Sequence, residues 1–252
     1  MSDIRYGSLT FSRTAPCDTY AVVYCEKTAE EVTVPAEING VAVTEIADNA
    51  FEECRMLLHV EFEEPREELL MAGTVLTTIG EYAFSYCVNL VSIDIPYTVY
   101  SIGRGAFYNC RSLKLANLPA GAYVGSYAFC ECGELERISP LSCASEGVLS
   151  SCEKLSAIEL AQGISEICED AFESCAITEI VIPKSVKRIE QLAFRGCHCL
   201  KKVIFEDPEG WYVRIRYDGS VHALDLSDTH EVAEELSRMD FDDGVDCWYK
   251  AT

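Results

Sequence analysis

Apolar and small side chains return along the chain at a nearly fixed interval. An aromatic anchor recurs at Phe51, Phe84, Phe107, Phe129, Phe172 and Phe194, with Leu149 in the same place in the fifth copy. The steps between anchors are 33, 23, 22, 20, 23 and 22 residues. Five positions before the anchor stands an Ile or Val, replaced once by Ala144, and three positions after it stands a Cys in every copy. This recurrence predicts about seven copies of one structural unit.

Each copy contains the pattern of a short strand. Leu90, Ile93 and Ile95 alternate with polar residues, and Pro96 follows where a missing N–H does no harm. The next segment, residues 99–110, has the spacing of a short extended piece followed by a helical turn on the opposite side. The pattern of one copy therefore predicts a strand, then a corner, then a turn on the opposite side.

A period in the low twenties with the pattern Leu-x-x-Ile-x-Ile is typical of a leucine-rich-repeat solenoid, in which each unit buries its apolar side only by stacking on its neighbours. The predicted fold is an α/β solenoid, a horseshoe with one parallel β-sheet on its concave face, short helical turns opposite, and a cap at each end. We expect Gly80 and Gly103, which follow the Ile position, to adopt a backbone angle that other residues resist.

The chain divides into three predicted segments. Alternating apolar and polar residues between Leu9 and Tyr24 predict a β-hairpin cap over residues 1–31. Residues 32–205 hold about seven repeats and a partial one. Residues 206–252 form the second cap, with a hairpin turn at Asp218 and Gly219.

A short helix completes the second predicted cap. Asp228 and Glu231 have the spacing of a capping box at its start. Its apolar stripe consists of Val232, Leu236 and Met239.

Two copies depart from the common pattern. The first step contains about ten extra residues, 63–73, which predict a short helix laid on the stack. Leu69, Leu70 and Met71 are either packed against the stack, which is the favoured interpretation, or offered to a partner. The fifth copy, around residues 143–149, is the shortest and predicts a local kink.

Charge and hydropathy limit the classes of function. The 42 acidic against 20 basic residues give a formal charge of −22, which disfavours direct binding to nucleic acid and suits a basic partner. The pattern predicts no membrane insertion and no signal peptide, which favours a cytoplasmic location for the chain as given, or the cell surface if a leader was removed. Two capped ends favour a monomer.

Fourteen cysteines are the next unusual feature. Seven occupy the repeat column, and we expect them to be small core residues with unpaired thiols, as a reducing compartment would keep them. A disulfide framework is the alternative. The pattern assigns no place to the other seven: Cys17, Cys25, Cys130, Cys143, Cys168, Cys199 and Cys247.

Motifs of catalysis or metal binding are missing from the sequence. It has no nucleophile elbow, phosphate-binding loop or zinc-protease helix, and only four His, so we expect neither enzymatic activity nor a cofactor. Cys197, His198 and Cys199, like Cys130 and Cys132, lack zinc-site spacing. Residues 240–246 only approximate a calcium loop. We therefore expect no metal site.

Residues 79–96 read Ile-Gly-Glu-Tyr-Ala-Phe-Ser-Tyr-Cys-Val-Asn-Leu-Val-Ser-Ile-Asp-Ile-Pro, and this unit recurs over about 170 residues. Together with residues 34–40, 210–213 and 224–228, it resembles the BspA-type leucine-rich repeats of bacterial surface proteins and some protists. The resemblance implies a curved solenoid that binds proteins or matrix components, often at a cell surface, with no enzyme activity or cofactor.

The outward positions of the predicted concave sheet are the candidate protein-binding residues. They are His59, Glu61, Ser92, Asp94, Leu115, Asn117, Arg137, Ser139, Ala157, Glu159, Glu179, Val181, Lys202 and Ile204. The leading hypothesis is a non-enzymatic interaction module that recognises a protein partner through this face, to which the insertion at residues 63–73 could add contacts. The alternative for this face is an ordinary solvated surface.

Two other functions compete with that hypothesis. One is an acidic inhibitor that mimics nucleic acid and acts on a basic protein, since residues 206–246 hold thirteen acids and three bases. The other is a secreted or surface adhesin hardened by disulfides.

Overall fold

The computed structural model describes residues 3–215, 220–238 and 245–251. The chain forms a solenoid of about eight turns that contains parallel sheet and few helices. This confirms the leucine-rich-repeat class of fold predicted from the repeat period.

The strands and helices lie as follows. At the first end are β1 Ile4–Tyr6, β2 Leu9–Thr14 and β3 Thr19–Cys25. The repeats contain β4 Glu31–Val34, β5 Glu37–Ile38, β6 Val41–Ile46, β7 His59–Phe62, α1 Glu67–Ala72, β8 Thr78–Ile79, β9 Ser92–Asp94, β10 Ser101–Ile102, β11 Leu115–Asn117, β12 Tyr123–Val124, β13 Arg137–Ile138, β14 Glu166–Ile167, β15 Glu179–Ile182, β16 Arg188–Glu190 and β17 Lys202–Phe205. At the second end are β18 Trp211–Ile215, β19 Val221–Ala223, α2 Thr229–Arg238 and β20 Val245–Lys250.

Each copy contributes to two parallel ladders. The first ladder is the predicted sheet, and it is divided into the pairings β4–β7, β9–β11–β13 and β15–β17. The second ladder joins β6, β8, β10 and β12 through the recurring Ile or Val, and β3 extends it at the first end. After the fifth copy the same column pairs β14 with β16 through Ile167 and Ile189. The sequence predicted extended pieces at the second ladder but not their pairing into a sheet.

The side opposite the first ladder is built from tight turns. Two residues in every copy have left-handed backbone angles, with φ between 53° and 72°, and they flank the Ala-Phe pair or its equivalent. They are Asn49, Tyr82, Gly105, Tyr127, Gly147, Asp170 and Leu192 in one column, and Glu53, Tyr86, Asn109, Glu131, Ser151, Ser174 and Gly196 in the other. These tight turns, each with two left-handed residues, occupy the positions where helical turns were expected. Within the described residues, α1 and α2 are the only α-helices.

The anchor residues form a continuous buried column. The rings of Phe84 and Phe107 stack with centroids 5.2 Å apart, and Phe107 and Phe129 stack at 5.0 Å. The Phe84 amide also donates to the carbonyl of Ala106 in the next copy at 2.7 Å. Every coil is therefore joined to the next by side-chain packing and by backbone hydrogen bonds on its turn side.

The cysteine column forms a second link between coils. All fourteen thiols are free, and those of the column are buried. The Sγ of Cys110 donates to the Phe84 carbonyl of the preceding copy at 3.1 Å, and Cys197 donates to Phe172 at 3.0 Å. Burial raises the pKa of the Cys197 thiol to about 12, which keeps its proton available for donation. The predicted small core residue is thus also a hydrogen-bond donor.

The glycines that follow the recurring Ile are needed for a reason other than the one expected. Gly80 and Gly103 do not have positive φ, so the prediction of a special backbone angle was wrong. A Cβ on Gly103 would lie 2.6 Å from the backbone nitrogen of Glu81, and one on Gly80 would lie 2.6 Å from that of Asp48. These glycines are required because the backbones of successive coils touch at this point.

The fifth copy interrupts both ladders. Regular pairing is reduced there to isolated bridges, between Leu141 and Leu160 in the first ladder and between Ala144 and Ile167 in the second. Leu149 also replaces the stacking ring of the anchor column. The irregularity appears at the predicted copy, and the kink itself stays a prediction.

Additional strands and a helix lie at the two ends. The β2–β3 hairpin forms where alternation between Leu9 and Tyr24 predicted one, and its role as a cap stays a prediction. At the other end the Asp228 carboxylate accepts the amide hydrogens of His230 and Glu231 at 2.9 and 3.1 Å, which caps α2 as predicted. Val232 and Leu236 are buried, whereas Met239 and the predicted turn at Asp218 and Gly219 lie outside the described residues.

The final strand, β20, was not predicted. It pairs antiparallel with both β16 and β18, which ties the last repeat to the terminal hairpin. Trp248 lies opposite Ile189 and is fully buried. The exact division into residues 1–31, 32–205 and 206–252 stays a prediction.

The insertion forms the predicted helix without the predicted packing. No residue of α1 is buried, and Met71 is 83% exposed. The favoured expectation of packing on the stack was therefore wrong for Leu70 and Met71, which are exposed, whereas Leu69 is half-buried. The flank of the insertion holds it instead, since Val75 is buried and the Thr98 hydroxyl donates to the Leu76 carbonyl at 2.6 Å.

The cysteine column can be tested at Cys110. Serine and alanine are nearly equal in size, but only serine can donate to the Phe84 carbonyl. We expect C110S to exceed C110A in free energy of unfolding by about 1 kcal/mol, measured by urea denaturation. Equal stability of the two variants, or a more stable C110A, would show that the column contributes apolar packing alone.

Candidate protein-binding surface

The fourteen candidate residues lie on the outward side of the first ladder, and we call this surface the strand face. One row consists of His59, Ser92, Leu115, Arg137, Ala157, Glu179 and Lys202, and the other of Glu61, Asp94, Asn117, Ser139, Glu159, Val181 and Ile204. Ser92, Leu115, Ser139 and Ile204 are half-buried and the others are exposed, while the intervening Val60, Ile93 and Val203 are buried. Alternation along the strands therefore produces the two rows.

The register places these side chains next to each other across the copies. Ser92 lies opposite Leu115, which lies opposite Arg137, and Val181 lies opposite Ile204. Ser139, Ala157 and Glu159 occupy segments near the fifth copy that are not part of regular strands. The structure thus brings the candidates onto one face but spaces them less regularly near its middle.

Some members of the strand face already have partners within the chain. Lys202 pairs with Glu179 at 3.2 Å, and the Asn117 amide donates to Asp94. The Ser139 hydroxyl accepts the Leu118 amide hydrogen at 2.9 Å. These contacts fix the positions of side chains in the second half of the face and at its centre.

The first two full copies contain an open depression on the strand face, which we call the acidic groove. It is lined by four predicted residues, His59, Glu61, Ser92 and Asp94. The lining also includes Val60, Phe62, Glu64, Ile95, Pro96 and Tyr97. Sequence reasoning included Glu64 only as part of the insertion, and it missed Tyr97, which lies beyond the end of its strand. An aromatic residue directly after Pro96 was a usable signal for Tyr97.

Three acidic residues on the turn side make contacts within the chain. The hydroxyl of Tyr108 donates to Glu131 at 2.7 Å, and that of Tyr127 donates to Glu146 at 2.6 Å. Glu173 accepts a hydrogen bond from Ser150 at 3.0 Å and pairs with an arginine of the next copy. These three carboxylates therefore already have partners within the chain.

Asp170 is the exception on the turn side. Its Oδ1 atom is buried and has no hydrogen-bond partner within the described part of the chain. Burial, with the nearby charges of Glu173 and Glu169, raises its pKa to about 6. The ionised form of this carboxyl is therefore disfavoured in the folded state.

The described residues contain no group of three or more metal-ligating side chains in a suitable arrangement. Cys197 and Cys132 belong to the buried column, while Cys199 is exposed. Most of the approximate calcium loop at residues 240–246 lies outside the described residues. In the same described segments, neither helix has the length and apolarity needed to cross a membrane.

The stacked copies and their two ladders define this chain as a leucine-rich-repeat solenoid protein. Residues 77–201 match the model of the BspA type leucine rich repeat region in six copies. The repeats belong to the BspA-type leucine-rich-repeat family, which confirms the resemblance drawn from residues 79–96. No curated protein matches the chain in sequence.

Solved bacterial structures share this fold at low identity. A leucine rich cell surface protein from Faecalibacterium prausnitzii A2-165 is 24% identical, with a TM-score of 0.70 over 88% of this chain and 60% of its own. The T. pallidum leucine rich repeat protein is 21% identical, with a TM-score of 0.53 over 79% of this chain and 91% of its own. The pneumococcal vaccine antigen PcpA is 20% identical, with a TM-score of 0.54 over 89% and 54%. These likenesses show the fold alone.

The raised pKa of Asp170 predicts a pH-dependent effect on stability. Because the folded state holds this proton more tightly than the unfolded chain, the group's stabilising contribution is lost as the pH rises from about 4 to about 6. D170N cannot ionise, and asparagine tolerates the left-handed backbone at this position. We expect D170N to be more stable than the wild type near neutral pH and to lose that advantage at about pH 4.

Urea denaturation at both pH values measures this difference. Asp225 provides the control, because its hydrogen bonds with Ser227 lower its pKa and D225N should gain no stability at neutral pH. An unchanged D170N advantage at both pH values would contradict the assignment.

Proposed function

We propose that this chain is a non-enzymatic protein-interaction module that binds a protein partner through the strand face. The observation that carries the proposal is the pair of outward side-chain rows, held in register by a continuous core and leading into the acidic groove. A rigid frame of this kind presents many contacts at little ordering cost, which favours recognition of an extended protein surface. The leucine-rich-repeat family and fold support the same class of function.

The two rival functions predict different behaviour. An acidic inhibitor of a basic protein would bind chiefly through net charge, so its affinity would fall steeply with salt and would depend little on which acids are removed. A surface adhesin is suggested by the resemblance to BspA-type repeats and by the cell-surface description of the F. prausnitzii protein, which shares the fold at 24% identity. The fourteen free thiols give no support to a disulfide-hardened form.

The proposal is tested by capture of a partner with the tagged chain from native lysate at low and high salt. The test variant reverses four acids of the strand face: E61K, D94K, E159K and E179K. The control variant reverses four exposed acids elsewhere: D3K, E81K, E153K and E209K. Both variants change the net charge equally, so a difference between them reports position and not total charge.

We expect the wild type to bind a partner saturably, and this binding should persist at high salt. The control variant should still bind the partner, and the strand-face variant should not. Similar loss with both variants would favour the acidic inhibitor. Retention by both would show that the strand face is not the binding surface.

A further inference from the structure

The acidic groove lies between two neighbouring strands with matching charges. The Val91 amide donates to the Leu58 carbonyl at 3.3 Å, which sets β7 beside β9 with an offset of one repeat step. Glu61 and Asp94 hold equivalent places in these two copies, and both carboxylates line the same depression. Like charges in this relation repel one another.

The groove's lining adds a third carboxylate, Glu64 from the insertion. Among the described residues that form this lining there is neither a lysine nor an arginine. The equivalent ladder in the last copies differs, since Glu179 there is paired with Lys202. Negative charge is therefore left uncompensated at one place on the strand face.

An apolar wall lies beside these carboxylates. Phe62, Pro96 and Tyr97 line the groove, and Tyr97 is 64% exposed. Long basic side chains suit such a combination, because their aliphatic stems cover apolar surface while the charged end meets carboxylates or the face of an aromatic ring. A hydrophobic or acidic side chain would use only one part of the groove or be repelled by it.

We propose that the acidic groove binds a lysine or arginine side chain carried by an extended segment of the protein partner. The proposal rests on the proposed function and names the chemistry that the partner must present at this part of the strand face. Glu61, Asp94 and Glu64 receive the cation, and Phe62, Pro96 and Tyr97 hold the stem.

The test uses the whole chain and a short capped peptide of alternating serine and lysine. Its counterpart carries acetylated lysines, which keep the stem and remove the charge. His59 lines the groove, whereas the three other histidines of the chain, His198, His222 and His230, are not part of its lining, so the imidazole NMR signals report where the peptide binds.

The groove variant is E61Q/E64Q/D94N, and its matched control, D3N/E153Q/E209Q, removes three exposed acids elsewhere. We expect a saturable shift of the His59 signal with the lysine peptide in the wild type and in the control. The groove variant should weaken binding by about tenfold, and the acetylated peptide should cause no such shift.

Three results would overturn the proposal: equal shifts with the acetylated peptide, equal weakening in both variants, or parallel shifts of all four histidines. The partner-capture assay separates this failure from failure of the proposed function. If the strand-face variant loses the captured partner while E61Q/E64Q/D94N retains it, the interaction module stands and the basic-side-chain assignment falls.

Discussion

Direct contact between the backbones of successive coils is the constraint on which the rest of this structure depends. At Gly103 the coils approach so closely that a Cβ would lie 2.6 Å from two backbone atoms of the preceding coil. That approach keeps the rings of Phe84 and Phe107 stacked and allows the Cys110 thiol to reach the Phe84 carbonyl. Because no copy buries its own apolar side, these links act together, and they hold the strand face at a fixed spacing.

The repeat period made much of the fold predictable. The anchor, cysteine and Ile columns are visible in the sequence because the same positions are buried in every copy and carry the same types of residue. The second ladder is harder to recognise, since two-residue strands such as Ser101–Ile102 carry too little pattern to reveal pairing. The partners of β20 also lie far away in sequence, and the cause of the Gly103 requirement depends on the neighbouring coil. These features arise from tertiary contacts that local pattern does not encode.

The candidate site was predictable to a similar extent. Alternation along β7 and β9 predicts that His59, Glu61 and Asp94 point outward, and the structure places them in one groove. Glu64 and Tyr97 reach the same groove from the insertion and from a corner, where no periodic pattern applies. The net charge of the chain also did not indicate where on the surface a binding site lies. Glu131 and Glu146 on the turn side accept hydrogen bonds from tyrosines, whereas the described residues that line the groove include no basic neighbour for its carboxylates.

The most direct test of the central claim compares two glycines in the same solenoid. G103A places a methyl group against the preceding coil, whereas G133A places one in open space at a residue without positive φ. Urea denaturation should show that G103A loses about 1–3 kcal/mol of unfolding free energy. G133A should be neutral or gain up to about 1 kcal/mol, because alanine restricts the unfolded chain. Equal stability of the two variants would contradict the account, since it would mean that close backbone contact between coils is not what holds the solenoid together.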